Sequence, residues 1–486
     1  MVTRSILRPV LRPVTRAVSD TIRGFNPRSL FSAGEQGALY DLYDQSTLFQ
    51  DAAGTTPWTT YGQPLGLQRD KSKGLVRSAN LVTNGDFASA TGWTAGAGWA
   101  IGSGVATATA SSADLSTDIG AVANRWYVVT FTVTRTAGSL TVIASGTATT
   151  TPTISASGTY TLYILASGAG STLIFRGSGF SGTIDNVSAV YEQGNHRYQT
   201  TPSARPTIEA RVNRFVGTET LATQNVTTVA GGYILRFTGA GTVTLSGTAV
   251  GAYSAGTHSI TCTAGTLTAT VAGTVTQADL RLSLDSAYPY QRVTTATDYA
   301  DIGAPRRIKY DGIDDFLQTA SVNFSATDKM TVWAGVRKLS DAASGTIVEL
   351  SGSASLNAGA FLLRGPNGAS TNYGLYAIMT AGALAGPSPS PFASPTTNVL
   401  VLNVNASLAI ANKVYGRVNG TTYTNAIDIG TGNFGNYPLY FGARAGTSIR
   451  FSGEVFSPEV IRGAESTATQ IDMVERIINR NAGGVY

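Results

Sequence analysis

Tyr127-Val128-Val129-Thr130-Phe131-Thr132-Val133-Thr134 is the stretch that decides the fold class. Tyr127, Val129, Phe131 and Val133 fall on one side of a period-two pattern, and three threonines fall on the other. That is the pattern of a half-buried strand. The same period returns at 160–165, 172–176 and 184–191, with Gly, Ser and Thr turns between. Residues 80–192 therefore read as a jelly roll or β-sandwich. Tyr233, Leu235 and Phe237 alternate next, followed by runs at 242–246, 258–263, 266–271 and 280–284. They predict a small Thr-rich β module over 193–305. Residues 306–486 read as a third β module closed by a helix. Thr467 and Gln470 have capping-box spacing, Ile471, Val474, Ile477 and Ile478 form the apolar stripe, and Gly483 follows. The Pro-rich stretch 386–395 predicts an exposed loop. The fold class is all-β: tandem β-sandwich/jelly-roll modules with an extended/helical N-terminal arm and a short C-terminal helix.

Composition supports this and removes alternatives. The 486 residues are only 13% charged and include 55 glycines, which argues against a solvated disordered chain or a charge-laced coiled coil. A single cysteine, Cys262, excludes an intrachain disulfide or a Cys-based zinc site. His196 and His258 carry no motif that marks a base, and Cys262 sits in an alternating Thr-rich run as a packing residue. Gly177-Ser-Gly-Phe-Ser-Gly182 matches the dinucleotide fingerprint, but a strand follows it where a helix N-terminus is required, so a hairpin turn is expected. No run reaches the length of a membrane span.

The formal net charge is +5, and it is localised. Arg4, Arg8, Arg12, Arg16, Arg23 and Arg28 face only Asp20 in the first 28 residues, so the rest of the chain is balanced. Nucleic acid is thus not an expected partner of the β modules. Leu-Arg-Pro-Val occurs twice, at 7–10 and 11–14, and should be extended. Val14, Val18 and Ile22 then recur at helical spacing, predicting a short helix over 15–23. Residues 1–28 read as a docking arm, with those three side chains and Arg4, Arg8, Arg12, Arg16 and Arg23 as its contacts. Residues 29–79 lack a periodic face and read as an extended connector lying along another surface.

Three resemblances follow from particular residues. Asn80-Leu-Val-Thr-Asn-Gly-Asp-Phe87, Gly92-Trp93 and Ile184-Asp-Asn-Val-Ser188 together resemble the jelly-roll carbohydrate-binding modules. Tyr310-Asp-Gly-Ile-Asp-Asp-Phe-Leu317, Val332-Trp-Ala-Gly-Val-Arg337, Leu439-Tyr-Phe-Gly-Ala-Arg444 and Phe451-Ser-Gly-Glu-Val455 resemble the laminin-G/concanavalin-A-like lectin sandwich. The connector elements Gly34-Glu-Gln-Gly-Ala38, Ser46-Thr-Leu-Phe-Gln-Asp51 and Gly62-Gln-Pro-Leu-Gly66, with the 290–299 segment, resemble a family of phage and prophage tail, fibre or structural proteins. That resemblance implies a virion component made in a host cytoplasm without a signal peptide. It would dock on other virion proteins through residues 1–79, form a homo-oligomer, and face a host-surface glycan or receptor. No heptad specifies the oligomer.

Site residues follow from chemistry. Asp311, Asp314 and Asp315 cluster at the start of the third module, as a calcium site of oxygen ligands, an acid/base pair, or solvated acids at a strand end. Asp86 and Asp185 become neighbours if the ends of the jelly roll pair, and modules of the resembled kind often hold a structural calcium there. No cofactor is otherwise required. Sugar faces stack on aromatic rings while Asn, Asp and Arg satisfy hydroxyls. The glycan candidates are Trp93 and Trp99, or core, and the turn residues Tyr373, Tyr376, Asn433, Phe434, Asn436 and Tyr437. Trp126 and Trp333 read as core. The expected function is glycan adhesion by binding rather than catalysis. Capsid or tail decoration without receptor binding is the alternative, and surface-polysaccharide hydrolysis a further one.

Overall fold

The structure is a computed structural model and describes residues 24–353 and 357–486. The predicted helix over 15–23 and the arm contacts Arg4, Arg8, Arg12, Val14, Arg16, Val18, Ile22 and Arg23 lie outside the described residues. The rest is all-β, with antiparallel sheets and one C-terminal helix, Ala468–Asn481.

The opening octapeptide lies in a 19-residue strand, Trp126–Ala144, paired along its length with the 21-residue strand Thr172–Glu192. Phe175 pairs with Val142, yet its ring lies 5.1 Å from that of Phe131. Eleven residues of straight strand would separate positions 131 and 142 by about 36 Å. Both strands must therefore bend back, so that one hydrogen-bonded sheet encloses its own core. Register shifts around Ser178, Ser181 and Gly182 mark the bend. Gly182 has φ +144°, and a Cβ there would stand 2.1 Å from the Thr134 carbonyl oxygen. The hairpin turn expected at 177–182 is thus a bulged stretch inside one strand. Glycine serves the bend, and local reading cannot tell a bend from a reversal.

The second module repeats the device on a smaller scale. Gly231–Gly247 carries a bulge between Phe237 and Thr242 and pairs with Gly251–Cys262, Gly265–Ala272 and Thr276–Leu282. Tyr233, Leu235, Phe237, Val243 and Leu245 point to its core, as their alternation predicted.

Two eight-stranded sheets form the third unit. The inner sheet runs Thr207–Glu209, Arg307–Asp311, Ser452–Arg462, Lys329–Lys338, Thr396–Asn405, Val414–Val418, Thr421–Thr424, and Gly37–Tyr40 also pairs with Ser452–Arg462. The outer sheet runs Leu48–Phe49, Leu67–Gln68, Arg197–Tyr198, Leu317–Asn323, Asn436–Phe441, Thr346–Leu350, Ala360–Arg364, Gly374–Ile378. Met330, Val332, Ala334 and Val336 face the shared core. On the opposite face Trp333, Val399, Val401 and Val460 pack under Ile471, Val474 and Ile478 of the helix. Burial on both faces explains why these strands read as near-continuous apolar runs. The helix begins as predicted, with Thr467 and Gln470 forming both bonds of a capping box. The 386–395 stretch is irregular, as expected, but not fully exposed: Gly386, Pro387 and Pro389 are buried where it runs beside the edge strand Gly374–Ile378. The carbonyls of Pro387 and Pro389 accept from Leu375 and Tyr373 N–H, which covers that edge.

Residues 29–79 do not lie along another surface; they are woven into both sheets. Gly37 shows how closely: its φ is +153°, and a Cβ would stand 2.0 Å from the Ile461 carbonyl oxygen. Short strands such as Leu48–Phe49 and Leu67–Gln68 have no room for a period, so only pairing reveals them. The jelly roll seats Trp126, Val128 and Tyr163 against Leu67 and Tyr198 on the outer sheet. Beside that seam Glu192, fully buried, binds Arg69 at 2.6 and 2.8 Å and Arg77 at 2.7 Å. The second module is tied in by Arg337, which forks onto Asp285 at 3.0 and 2.9 Å.

Candidate functional site

The jelly-roll aromatics are packed away. Trp93 and Trp99 are each 8% exposed. Trp93 lies against Phe87 and Phe175 and donates from Nε1 to the Asn84 carbonyl; Trp99 stacks on Phe180 and donates to the Ala113 carbonyl. A stacked sugar needs an open ring face, so both side chains serve the core. Trp126 and Trp333 are buried too. The ends of the jelly roll do meet: Val187 N–H donates to the Gly85 carbonyl at 2.8 Å. The Asp185 carboxylate accepts from Asn186 N–H at 2.6 Å, and that of Asp86 from Ala88 N–H at 3.4 Å.

The turn residues of the last module separate into two places. Phe434 is buried against Phe361, and Tyr373 is buried with its hydroxyl accepting from Asn398 Nδ2 at 2.9 Å. These two are core residues. Tyr437 sits at the same end of the sandwich as Phe434, its hydroxyl on the Ala358 carbonyl at 3.2 Å. Asn433 and Asn436 are exposed beside it; Asn433 Nδ2 donates to the Ser325 carbonyl at 2.7 Å. Tyr376 is elsewhere, on the outer face of the outer sheet.

That face is the more informative site. Strand register places Tyr440, Glu349, Leu362 and Tyr376 in one row across four strands. Their neighbours in each strand, Leu439, Leu350, Phe361 and Leu375, face the core, so this row faces outward. The jelly roll covers the other half of the sheet, at Leu67 and Tyr198. Tyr376 and Tyr440 are half-buried rings. The Tyr376 hydroxyl accepts from Asn367 Nδ2 at 2.7 Å. Glu349 has no solvent exposure; it accepts from Ala445 N–H at 2.8 Å and from Arg444 Nε at 3.4 Å. Burial pushes its carboxyl up, and those two donors offset this only in part. Arg364 is held down, first by burial and then by the charge of Arg444. Sequence reading missed Glu349, Arg364, Arg444 and Tyr440, because alternation says which residues share a face and not which strands lie side by side.

Asp311, Asp314 and Asp315 have ligating oxygens within 4.8 Å of one another, in the turn that joins the inner sheet to the outer. Asp315 Oδ2 accepts from Asp311 N–H at 3.0 Å, and Asp311 Oδ1 from Ile313 N–H at 2.7 Å. Burial first, then the charge of Asp311, pushes Asp315 up to about 7. An all-oxygen set suits a hard cation. His196 is structural: its Nδ1 accepts from Asp70 N–H at 3.1 Å, so Nε2 carries the proton toward Glu192 at 3.1 Å. Cys262 is buried, which pushes its thiol up and away from nucleophilic character. A cleft of about 580 Å³ also opens between the second module and the sandwich, walled by Tyr288, Phe392, Arg337, Asn398 and Asn419.

No family model and no curated protein sequence matches the chain. Solved structures share local similarity with the chain, among them two binding domains. The binding domain of Paraclostridial Mosquitocidal Protein 1 is 13% identical at a TM-score of 0.28, over 42% of this chain and 49% of that one. The binding domain of Botulinum Neurotoxin DC in complex with SialylT is 11% identical at a TM-score of 0.27, over 37% of this chain and 43% of that one. The chain thus spans less than half the length of each.

Proposed function

We propose that this chain is a virion adhesion protein that binds host-surface glycan and does not cleave it. One observation carries the binding reading: beyond the jelly roll, the outward face of the outer sheet presents the half-buried rings of Tyr376 and Tyr440 on either side of the fully buried Leu362 and Glu349, with the part-buried Arg364 and Arg444 beside them. Rings with an accessible face beside hydrogen-bonding groups are what saccharide recognition requires. Buried ion pairs weld the modules to the sandwich, which suits a rigid presenting body. The virion setting rests on the resemblance of the connector. Binding rather than hydrolysis is supported by the Asp311–Asp315 turn. Its carboxylates share one inter-sheet turn and hold their own backbone, whereas a glycosidase pair flanks the scissile bond across a cleft.

The test is binding of the purified full chain to host cells and to isolated surface polysaccharide. Saturable binding, lost on replacing Tyr376 and Tyr440 by Ala, is expected. Absence of binding, while particles adsorb through another protein, would leave decoration as the function. Release of reducing ends from the polysaccharide would make it a hydrolase.

A further inference from the structure

We infer that the uncovered half of the outer sheet is selective for an acidic saccharide, and that Arg364 and Arg444 receive its anionic group. This rests on the adhesion reading and names its ligand class. Arg364 leaves the Ala360–Arg364 strand on the same outward face as Leu362. Among the described residues its guanidinium has neither a hydrogen bond nor an ion pair, and its Nε is sealed from solvent with no acceptor. Arg444 is the second cation. It reaches Glu349 through Nε at 3.4 Å, and its Nη2 is likewise buried without an acceptor. The one nearby carboxylate therefore contacts Arg444 alone, and donors on both guanidinium groups stay unsatisfied.

Buried donors without acceptors are rare in folded proteins, because each forfeits its hydration. Here they lie in two neighbouring guanidinium groups, and Arg364, only part-buried, keeps its two terminal nitrogens to take a carboxylate or sulfate through parallel bonds, with the charge of Arg444 beside it. The surroundings add the rest of a sugar site. Register sets Arg364 opposite Gly374, and a Cβ at Gly374 would stand 2.5 Å from the Tyr376 ring, so the ring leans over that glycine beside Arg364. Asn367 holds the Tyr376 hydroxyl at 2.7 Å, fixing the ring. A pyranose lying on Tyr376 would place an acidic substituent at Arg364. Glu349, committed to Arg444 and Ala445 N–H, sets the distance at which that anion can sit without meeting a second negative charge.

The experiment is titration calorimetry of the full chain with three forms of one oligosaccharide: uronate-containing, carboxyl-reduced, and sulfated. The uronate form should bind about tenfold more tightly than the reduced form, the worth of a charge-assisted fork. Arg364→Ala should bring the two within about twofold and leave the melting temperature unchanged, since Arg364 holds no partner. Arg364→Lys should restore only part of the preference, as a point charge lacks the fork. Preference for the sulfated form over the uronate, lost in Arg364→Ala, would keep the site and name sulfate as its anion. Equal binding of all three forms, or a preference untouched in Arg364→Ala, overturns the inference and leaves adhesion standing. If no form binds and host cells are not bound, the adhesion reading falls with it.

Discussion

Replacing Glu192 by Gln should loosen the joint between jelly roll and sandwich. Glu192 ends the long jelly-roll strand, fully buried, with Arg69, Arg77 and His196 around it. Burial pushes its carboxyl up, but the hydrogen bonds from His196 and Arg69 and the charge of Arg69 outweigh that and hold it at about 2, against an ordinary value of 4.5. A difference of that size is worth about 3 kcal/mol at neutral pH. Breaking a buried pair from one side costs about 3–5 kcal/mol, because Arg69 keeps its charge and loses its partner. In a cooperative unit of 150–250 residues, about 3 kcal/mol lowers the melting temperature by about 6–12 °C. The pH dependence has a definite sign. The folded carboxyl lies below its unfolded value, so the contribution is complete above about pH 4.5 and fades as pH falls toward about 2. Calorimetric melts of both proteins between pH 7 and pH 2.5 measure it. The gap should be widest at pH 7 and narrow in acid. A gap under 1 °C at pH 7, or one that widens in acid, would falsify the account of this joint.

Asp315 behaves with the opposite sign, since its folded value, about 7, lies above the ordinary 3.8. Its burial is harmless at pH 4 and increasingly unfavourable toward pH 7, so Asp315→Asn should stabilise by a few kcal/mol at pH 8 and by nothing at pH 4 in urea unfolding. Calcium should raise the wild-type midpoint at pH 8 and leave Asp315→Asn unmoved; a chain indifferent to calcium removes the cation reading of this turn. Trp126 is 1% exposed, with its ring 5.4 Å from His196 and 5.5 Å from Tyr198 across the seam. Trp126→Ala should cost about 3–5 kcal/mol and split the melt into two transitions, and a single unshifted transition would show that the seam does not couple the modules.

The alternation at 127–134, the Tyr233–Phe237 register and the Thr467 capping box are all legible in the sequence. Each is a local signal: period two, period 3.6, or a side chain reaching a backbone three residues on. The jelly-roll Trp candidates fall in the core for a related reason. A ring flanked by glycines can face a ligand or a core, and flanking residues do not decide which.

Sequence alone determined the all-β class, the terminal helix and the confinement of net charge to the first 28 residues, because periodicity and composition are properties of the chain itself. Only the tertiary structure decided the rest. It turned a connector without period into strands of both sheets, since backbone pairing needs no side-chain pattern. It bent two long strands around their own core. It also set Glu349, Arg364, Tyr376, Tyr440 and Arg444 side by side from positions up to 95 residues apart, the separation of Glu349 and Arg444. That neighbourhood exists only once strand order is chosen, and strand order is settled by which faces can be buried together.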